Sequence, residues 1–240
     1  MKKKLCAAVL ALSLACPSFH AQNLVNETPE QKDKRMEWFH KAKLGIFIHW
    51  GIYAVKGVSE SWSFYNKYLP HDEYLKQCEG FTASKYDPKA WVELIKESGA
   101  QYTVLTTKHH DGVALWDTKQ NGISVVKNTP AKRDLVTPFV NEVRKAGLRL
   151  GLYYSLPDWS HPDYPNMTRT DVRYKDDPKR WDDFCKFNFG QLAELNNTYK
   201  PDLYWFDGDW EMSAETWRAK EIMQLLRSNN KNVIVNSRIT

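Results

Sequence analysis

The stretch Pro201-Asp-Leu-Tyr-Trp-Phe-Asp-Gly-Asp-Trp-Glu211 joins a short apolar run to a group of acidic residues. Residues 203–206 are apolar almost throughout, which predicts a strand buried on both faces, as in a parallel sheet. Three carboxylates follow within five residues: Asp207, Asp209 and Glu211. Because parallel α/β folds place their chemistry at the carboxyl ends of strands, Asp207 is the candidate functional residue. The alternative for Asp209 and Glu211 is that they begin the next helix, predicted from about residue 213.

Four more apolar runs of strand length begin near residues 44, 102, 148 and 232, and the first, ending at His49, is predicted to be fully buried. Between the runs, Asp87-Pro88, Thr137-Pro138 and Asp177-Pro178 each place a capping residue before a proline, which is typical of helix starts. We therefore predict helices over residues 89–98, 137–146 and 178–195, a shorter one from Met36, and a long loop over 54–85. The alternation favours a (β/α)8-like barrel over a nucleotide-binding sheet, since no Gly-x-Gly-x-x-Gly motif is present.

The barrel domain is predicted to span residues 36–240, after a loose polar segment over residues 22–35. Only five strand units fit into the 240 residues, whereas eight units take about 250 residues. We expect an incomplete barrel, truncated after about five β/α units, that forms the N-terminal part of a longer protein.

The first 21 residues have the features of a secretory signal peptide. Met1-Lys-Lys-Lys is followed by an apolar stretch over residues 5–15 that is too short to span a bilayer. Cleavage is predicted after Ala21, and an imperfect lipoprotein motif at Cys16 offers a lipid anchor as the alternative. No later segment is predicted to span a membrane. We expect an exported protein, periplasmic or secreted, or else an outer-membrane lipoprotein.

Removal of the signal leaves two cysteines, Cys78 and Cys185. An oxidising compartment permits a disulfide between them, and two buried free thiols are the alternative. The formal charge is +5, of which Lys2, Lys3 and Lys4 supply three units. The rest of the sequence is nearly balanced and has no basic stripe, so a nucleic acid partner is not expected.

Polar and aromatic side chains stand at the end of each predicted strand, and in a barrel they surround one mouth. They are His49, His109, His110, Tyr154 with Asp158, Trp205 with Asp207, and Arg238. Three histidines and Asp207 are enough ligands for a hydrolytic metal, although His49 lacks the His-x-His pairing common in barrel metal sites. Histidines satisfied by hydrogen bonds in the core are the alternative without function.

Glycoside hydrolysis uses a different set of groups: two carboxylates, aromatic walls and neutral hydrogen-bonding side chains for sugar hydroxyls. Ten Trp and twelve Tyr supply aromatic faces, although most of them are expected to fill the core. Asp207 beside Trp205 fits a nucleophile next to an aromatic wall. A serine nucleophile is not indicated, because there is no Gly-x-Ser-x-Gly motif.

Five motifs, in this order, resemble those of the α-L-fucosidases of glycoside hydrolase family 29. They are Gly45-Ile-Phe-Ile-His-Trp-Gly51, Thr107-Lys-His-His-Asp-Gly112, Lys132-Arg-Asp-Leu-Val136, Gly151-Leu-Tyr-Tyr-Ser155 and Pro201-Asp-Leu-Tyr-Trp-Phe-Asp-Gly208. The resemblance implies a barrel followed by a β-sandwich, and hydrolysis of terminal α-L-fucose with retention of configuration. It also implies fucosylated glycans or glycoconjugates as substrates, with no metal or cofactor.

The resemblance also assigns roles residue by residue. Asp207 takes the place of the family's nucleophile, and the sugar-binding residues are His49, Glu60, Trp62, His109, His110, Tyr154, Trp205 and Arg238. Glu60-Ser-Trp62 has one residue more than the family's Glu-Trp pair, which leaves open whether Glu60 or Ser61 takes the Glu position. The acid/base Glu of the family lies beyond the Asn-x-Arg motif, here Asn236-Ser-Arg238, and is expected past Thr240.

Two alternatives to an active fucosidase follow. One is an inactive or fucose-binding fragment that lacks the acid/base. The other is a metal-dependent barrel hydrolase that uses His49, His109 and His110.

Overall fold

The computed structural model describes residues 27–239, which form an α/β fold around one parallel sheet. The strands lie side by side in chain order, and each pairs in parallel with the next. They are β1 (Gly45–Ile48), β2 (Tyr102–Lys108), β3 (Arg149–Ser155), β4 (Leu203–Asp207) and β5 (Ile234–Val235). This arrangement confirms the predicted α/β class and is that of consecutive units of a partial (β/α) barrel.

The helices precede the strands, connect them, or lie within the long loops. They are α1 (Pro29–Ala42), α2 (Trp62–Tyr65), α3 (His71–Leu75), α4 (Gln77–Gly80), α5 (Pro88–Glu97), α6 (Val125–Asn128), α7 (Val136–Lys145), α8 (Pro178–Tyr199) and α9 (Ala219–Asn229). The apolar faces of α5, α7, α8 and α9 pack on one face of the sheet and bury the main hydrophobic core there. Burial of these faces is what stabilises amphipathic helices of this length.

The two faces of the sheet are occupied differently. Alternate residues of a strand point to opposite faces, so Tyr154 and Phe206 belong to the helix-covered core. Tyr153 of β3 and Leu203 of β4 belong to a smaller cluster on the other face, which α1 covers from the amino end of the strands. At the carboxyl ends of the strands, Ser155 of β3 is in register with Asp207 of β4.

Strand β1 differs from the prediction of a fully buried strand. None of its residues is buried, and Phe47 is 39% exposed. The reason is position, because β1 pairs only with β2 and forms one edge of the sheet described here. A continuous apolar run indicates that the faces of a strand are covered, but it does not show whether the strand lies at the edge or in the centre of the sheet.

Helix α1 begins at Pro29, earlier than the predicted start at Met36. Thr28 and Gln31 form a capping box, in which each side chain bonds the other's backbone N–H, and Pro29 occupies the first turn. The part of the predicted loose segment that lies in the described residues is therefore mostly helical.

Three other segments differ from the predictions. The long loop over residues 54–85 contains α2, α3 and α4. Helix α7 is capped by Asp134, whose carboxylate accepts from the N–H groups of Val136 and Thr137, both at 2.8 Å. Helix α9 starts only at Ala219, because a turn closed by Ser213 and the left-handed Arg218 (φ 57°) separates it from β4.

The predicted signal peptide and its Cys16 anchor lie outside the described residues. Within residues 27–239, no helix combines the length and apolar character needed to cross a bilayer. Cys78 and Cys185 are both buried and both free, so they are not joined by a disulfide.

Replacing Asp134 by alanine tests the cap of α7. The change leaves two backbone N–H groups of the first turn without their acceptor, and also removes a partner of the Thr137 hydroxyl. We expect Asp134→Ala to lower the free energy of unfolding by about 1–3 kcal/mol, measured by urea denaturation. Asp33→Ala on the exposed face of α1 is the control, expected within about 0.5 kcal/mol of the parent. Equal stability of the two variants would contradict the capping role.

Candidate active site

The carboxyl ends of β1 to β4 bring together five side chains, which we term the strand-end cluster: His49, His109, His110, Tyr153 and Asp207. The ring centroids of His49 and His109 are 4.8 Å apart, and those of His109 and His110 are 4.4 Å apart. His110 Nε2 lies 3.6 Å from Asp207 Oδ2. The cluster thus combines one carboxylate, three imidazoles and a phenol, contributed by four neighbouring strands.

Asp207 is the last residue of β4 and the carboxylate of the strand-end cluster. Its Oδ2 accepts a hydrogen bond of 3.0 Å from the Tyr153 hydroxyl. Arg238 Nη1 lies 3.7 Å from Oδ1, close enough for attraction but too far for a direct hydrogen bond. Gly208 (φ +86°) turns the chain aside at once, and a Cβ there would meet Pro157 Cδ at 2.2 Å. The Asp207 side chain is thereby fixed in direction while 23% of its surface stays exposed.

His110 is held in one tautomer by Ser155. The Ser155 hydroxyl donates its single proton to the Pro157 carbonyl oxygen at 2.6 Å. Its oxygen can therefore only accept in the 2.5 Å hydrogen bond with His110 Nδ1, so Nδ1 is the protonated nitrogen of the ring. Burial lowers the pKa of His110 to about 3, so the ring is neutral at pH 7. Nε2 therefore carries a lone pair, is buried, and has no hydrogen-bond partner within residues 27–239. Nε2 can therefore accept a hydrogen bond from an O–H or N–H group of a ligand bound beside Asp207.

The other two imidazoles are also neutral. Burial lowers the pKa of His109 well below its ordinary value, and the neighbouring rings of His110 and His49 add to that effect. His109 Nδ1 is bonded to the Ser61 hydroxyl at 2.6 Å. Burial likewise lowers the pKa of His49, although Glu60 and Asp207 oppose that shift. The strand-end cluster therefore presents neutral hydrogen-bonding groups around a carboxylate.

Both residues considered for the Glu position lie near the cluster. Glu60 Oε1 is 3.8 Å from His49 Nε2, while the Ser61 hydroxyl is committed to His109. One ligand atom from each of His49, Glu60 and His109 lies within 4.8 Å of the other two, so these residues could hold a metal ion. His110 is not a member of this group, although it belonged to the metal-binding set predicted from the sequence.

Tyr154 is not in the strand-end cluster, and Tyr153 takes the place expected for it. Tyr154 is fully buried on the helix side of the sheet, where its hydroxyl oxygen lies 2.8 Å from a side-chain oxygen of each of Asn188 and Gln191 and donates its one proton to one of them. Tyr153 points to the other face, where its ring stacks on His109 and its hydroxyl reaches Asp207. The one-residue difference follows from the alternation of side chains along β3.

Aromatic side chains form a wall beside the cluster. Trp62 lies nearly parallel to Trp210 at 6.1 Å between centroids, and edge-on to Trp159 at 5.1 Å. Trp210 is 49% exposed and carries the Arg238 guanidinium over its ring at 5.2 Å. Trp205 is 39% exposed and packs edge-on against Phe47. Of the predicted residues, Trp62 contacts His110 edge-on at 5.6 Å and Arg238 lies beside Asp207, whereas Trp205 contacts Phe47.

Three other carboxylates near the cluster, Glu211, Asp158 and Asp209, have neighbours different from those of Asp207. Glu211 accepts from Trp159 Nε1, from the Tyr164 hydroxyl and from the Asn166 amide at 2.6 to 2.9 Å. Asp158 is buried, where it faces the Lys108 ammonium at 3.7 Å and accepts from two backbone N–H groups. Asp209 lies in a short 3₁₀ turn, 3.5 Å from Arg238. Asp207 is the acid of this stretch that lies in the strand-end cluster.

Two residues of the site, Tyr153 and Ser155, were not predicted from the sequence, and Ser61 was considered only as the alternative to Glu60. Tyr153 is part of the motif Gly151-Leu-Tyr-Tyr-Ser155, but only the register of β3 against β4 shows which of the two tyrosines points toward the site. Ser61 and Ser155 act through the rings that they hold, and serine is too common for such a role to be visible in one sequence. Ser155 carried one usable signal, since it directly follows an apolar run at the same edge as Asp207.

The sequence is similar to those of known α-L-fucosidases. The family model described as "Alpha-L-fucosidase" matches residues 12–240. The tissue α-L-fucosidase of Bos taurus is 33% identical over 220 residues, covering 84% of this chain and 46% of that protein. The corresponding Macaca fascicularis protein is also 33% identical, covering 91% of this chain and 50% of the relative. The chain thus spans about half the length of the curated relatives it matches.

Solved structures agree with the sequence comparison. α-L-Fucosidase isoenzyme 1 from Paenibacillus thiaminolyticus is 35% identical with a TM-score of 0.78, over 87% of this chain and 51% of that one. A family 29 α-L-fucosidase from Bacteroides thetaiotaomicron has the same identity and TM-score, over 89% and 50% of the two chains. That protein was captured as a covalent intermediate with 2-fluoro-fucosyl fluoride.

The burial of neutral His110 predicts a specific acid sensitivity. Its pKa falls from 6.5 to about 3 on folding, so the folded state disfavours the protonated ring. The resulting stability is fully present above pH 6.5 and is lost as the pH falls toward 3. We expect His110→Asn, which does not titrate in this range, to reduce the slope of unfolding free energy between pH 6 and 4 by up to about 1.4 kcal/mol per pH unit.

The slope is measured by urea denaturation at each pH. His40→Asn serves as the control for the substitution itself, because His40 is exposed at the end of α1. A His110→Asn slope equal to that of the parent would mean that His110 is protonated in the folded protein.

Proposed function

The chain belongs to the α-L-fucosidase family, and from this premise we propose that it forms the fucose-binding part of a retaining α-L-fucosidase with Asp207 as the nucleophile. The proposed reaction is the hydrolysis of terminal α-L-fucose from glycans or glycoconjugates. The proposal includes export, as a periplasmic or secreted enzyme, in keeping with the N-terminal sequence.

The observation that carries the proposal is the environment of Asp207. A glycosidase nucleophile must be directed at the sugar and accessible from the pocket. Tyr153 directs one oxygen by its hydrogen bond, and the side chain remains partly exposed. Arg238 lies within 4 Å as a counter-charge. Asp158 and Glu211 have donors on their oxygens and lack this freedom.

The proposed mechanism has two steps. In the first, an Asp207 oxygen attacks the anomeric carbon while an acid protonates the departing glycosidic oxygen, giving a fucosyl ester. In the second, water attacks the same carbon, releases fucose with the original configuration and restores the carboxylate. The covalent intermediate captured in the Bacteroides thetaiotaomicron relative supports this route. We assign the acid/base to neither Asp158 nor Glu211.

The neutral side chains are proposed to recognise the sugar hydroxyls. Fucose is uncharged, so a pocket lined by neutral imidazoles binds it without leaving a charged group unpaired. The lone pair of His110 Nε2 accepts a hydroxyl proton, and His49, His109 and Tyr153 provide further hydrogen-bonding groups. Trp62 and Trp205 provide apolar surface for the C–H faces of the sugar. In this proposal Tyr153 replaces Tyr154, which supports the sheet from behind.

Covalent labelling tests the nucleophile. A 2-fluoro-fucosyl fluoride carries a leaving group that needs no proton, so its reaction does not depend on the acid/base. We expect the intact mass of the protein to rise by one fluorofucosyl unit, with the label on the peptide that contains Asp207. Asp207→Asn should lose labelling, and Asp209→Asn should keep it. A label on another residue, or labelling of Asp207→Asn, would overturn the assignment.

Replacing Ser155 by alanine tests the role of the His110 tautomer. The change removes the acceptor at Nδ1, so the ring no longer favours a lone pair at Nε2. Loss of one such hydrogen bond costs about 1–3 kcal/mol, which corresponds to about a 5- to 150-fold lower kcat/KM for an aryl α-L-fucoside. Nitrogen NMR of the histidines should show that His110 is no longer protonated mainly at Nδ1.

A matched serine–histidine pair provides the control for this experiment. Ser160 is bonded to His71 at 2.8 Å outside the strand-end cluster, and Ser160→Ala should leave both the His110 tautomer and the turnover unchanged. If Ser155→Ala retains the Nδ1 proton and full activity, Ser155 does not position His110.

A further inference from the structure

Two histidines and a glutamate lie close together at the edge of the strand-end cluster. One ligand atom from each of His49, Glu60 and His109 lies within 4.8 Å of the other two. The closest measured pair, His49 Nε2 and Glu60 Oε1, is 3.8 Å apart. We propose that these three residues bind one divalent cation of the Zn²⁺ class and leave one coordination position open.

The distances suit a tetrahedral ion after a small adjustment. Zn²⁺ binds histidine nitrogen and carboxylate oxygen at about 2.0–2.2 Å, so its tetrahedral ligands lie roughly 3.4 Å from one another. The present separations, at most 4.8 Å, exceed this by no more than about 1.4 Å. Glu60 can supply the movement, because it lies in a loop between β1 and α2 and its side chain is 36% exposed.

The two imidazoles already have the outer partners that metal-binding histidines require. His109 Nδ1 is bonded to Ser61, which leaves Nε2 for a ligand. His49 Nδ1 lies 3.3 Å from the Thr106 hydroxyl, which donates to the Ile48 carbonyl oxygen and so accepts from the ring. His49 Nε2, the nitrogen nearest Glu60, therefore carries the lone pair. Such partners fix ring orientation and commonly raise metal affinity.

The set of donors selects the class of ion and excludes His110. Two imidazole nitrogens and one carboxylate with an open position are typical ligands of Zn²⁺, whereas Mg²⁺ and Ca²⁺ prefer oxygen alone. His110 is directed elsewhere, with Nδ1 on Ser155 and Nε2 toward Asp207. The cation site is thus distinct from the His49, His109 and His110 set of a metal-dependent hydrolase, and it does not touch Asp207.

The cation would compete with the sugar. His49 and His109 are proposed to bind sugar hydroxyls, and the same nitrogens cannot bind a cation and a hydroxyl at once. Zn²⁺ would therefore inhibit the enzyme by occupying part of the sugar pocket. This consequence rests on the proposed function, whereas the binding of the cation does not.

Isothermal titration of the purified, tag-free protein with ZnCl₂ tests the site directly. We expect one Zn²⁺ bound per chain, no binding of MgCl₂, and at least tenfold weaker Zn²⁺ binding in Glu60→Gln and in His49→Gln. Both residues are partly exposed, so these variants should fold. His40→Gln, a change of an exposed histidine on α1, should bind Zn²⁺ like the parent. No binding by the parent, or unchanged binding by Glu60→Gln, would overturn the site.

A second titration separates the cation site from the proposed function. With L-fucose present at a saturating concentration, the apparent Kd for Zn²⁺ should rise. Fucose binding is first measured without zinc, so a failure of the sugar proposal is seen on its own. If fucose binds and the affinity for Zn²⁺ stays the same, the competition is wrong although the cation site stands.

Discussion

The buried ion pair between Lys108 and Asp158 is the interaction on which the geometry of the site depends. The two side chains are 0% and 3% exposed, and their charged atoms are 3.7 Å apart. Burying either charge alone would cost several kcal/mol, so each requires the other. Burial lowers the pKa of Lys108 to about 8, with Asp158 opposing the shift. Because Lys108 ends β2 and Asp158 follows β3, the pair fixes two strand ends relative to each other, and His109 and His110 come next in the chain.

The same pairing explains why the histidines are held so closely. Asp158 also accepts from the N–H groups of Ser160 and His161, which orders the loop after β3. Gly112, at φ +79°, lies against the Asp158 carboxylate, where a Cβ would come within 2.2 Å of Oδ1. The cationic charge is thus neutralised behind the cluster and not within it. Burial keeps the imidazoles neutral, and Asp207 faces Arg238 from the open side.

The sequence predicted the strands better than it predicted which side chains face the site. Continuous apolar runs located all five strands, because a strand covered on both faces leaves little room for polar residues. They could not show that β1 is an edge, nor that β2 carries an irregularity between Thr106 and Lys108. The inward direction of Tyr153 depends on register, and a shift of one residue exchanges it with Tyr154. Local capping by Thr28 and Asp134 was readable in principle, since Thr28 directly precedes α1 and Asp134 lies two residues before α7.

The three carboxylates at the end of β4 have different roles because each has different neighbours. Asp207, Asp209 and Glu211 are all carboxylates within five residues, yet each has different neighbours. Glu211 has three donors and joins the turn after β4 to the loop after β3 that contains Trp159 and Tyr164. Asp209 lies in the turn beyond Gly208 and shares Arg238 with Asp207. Only Asp207 keeps the inward direction of the strand, because the left-handed Gly208 turns the chain aside immediately after it. The reactivity proposed for Asp207 therefore derives from the end of a strand and one glycine, and the remaining acids stabilise the walls around it.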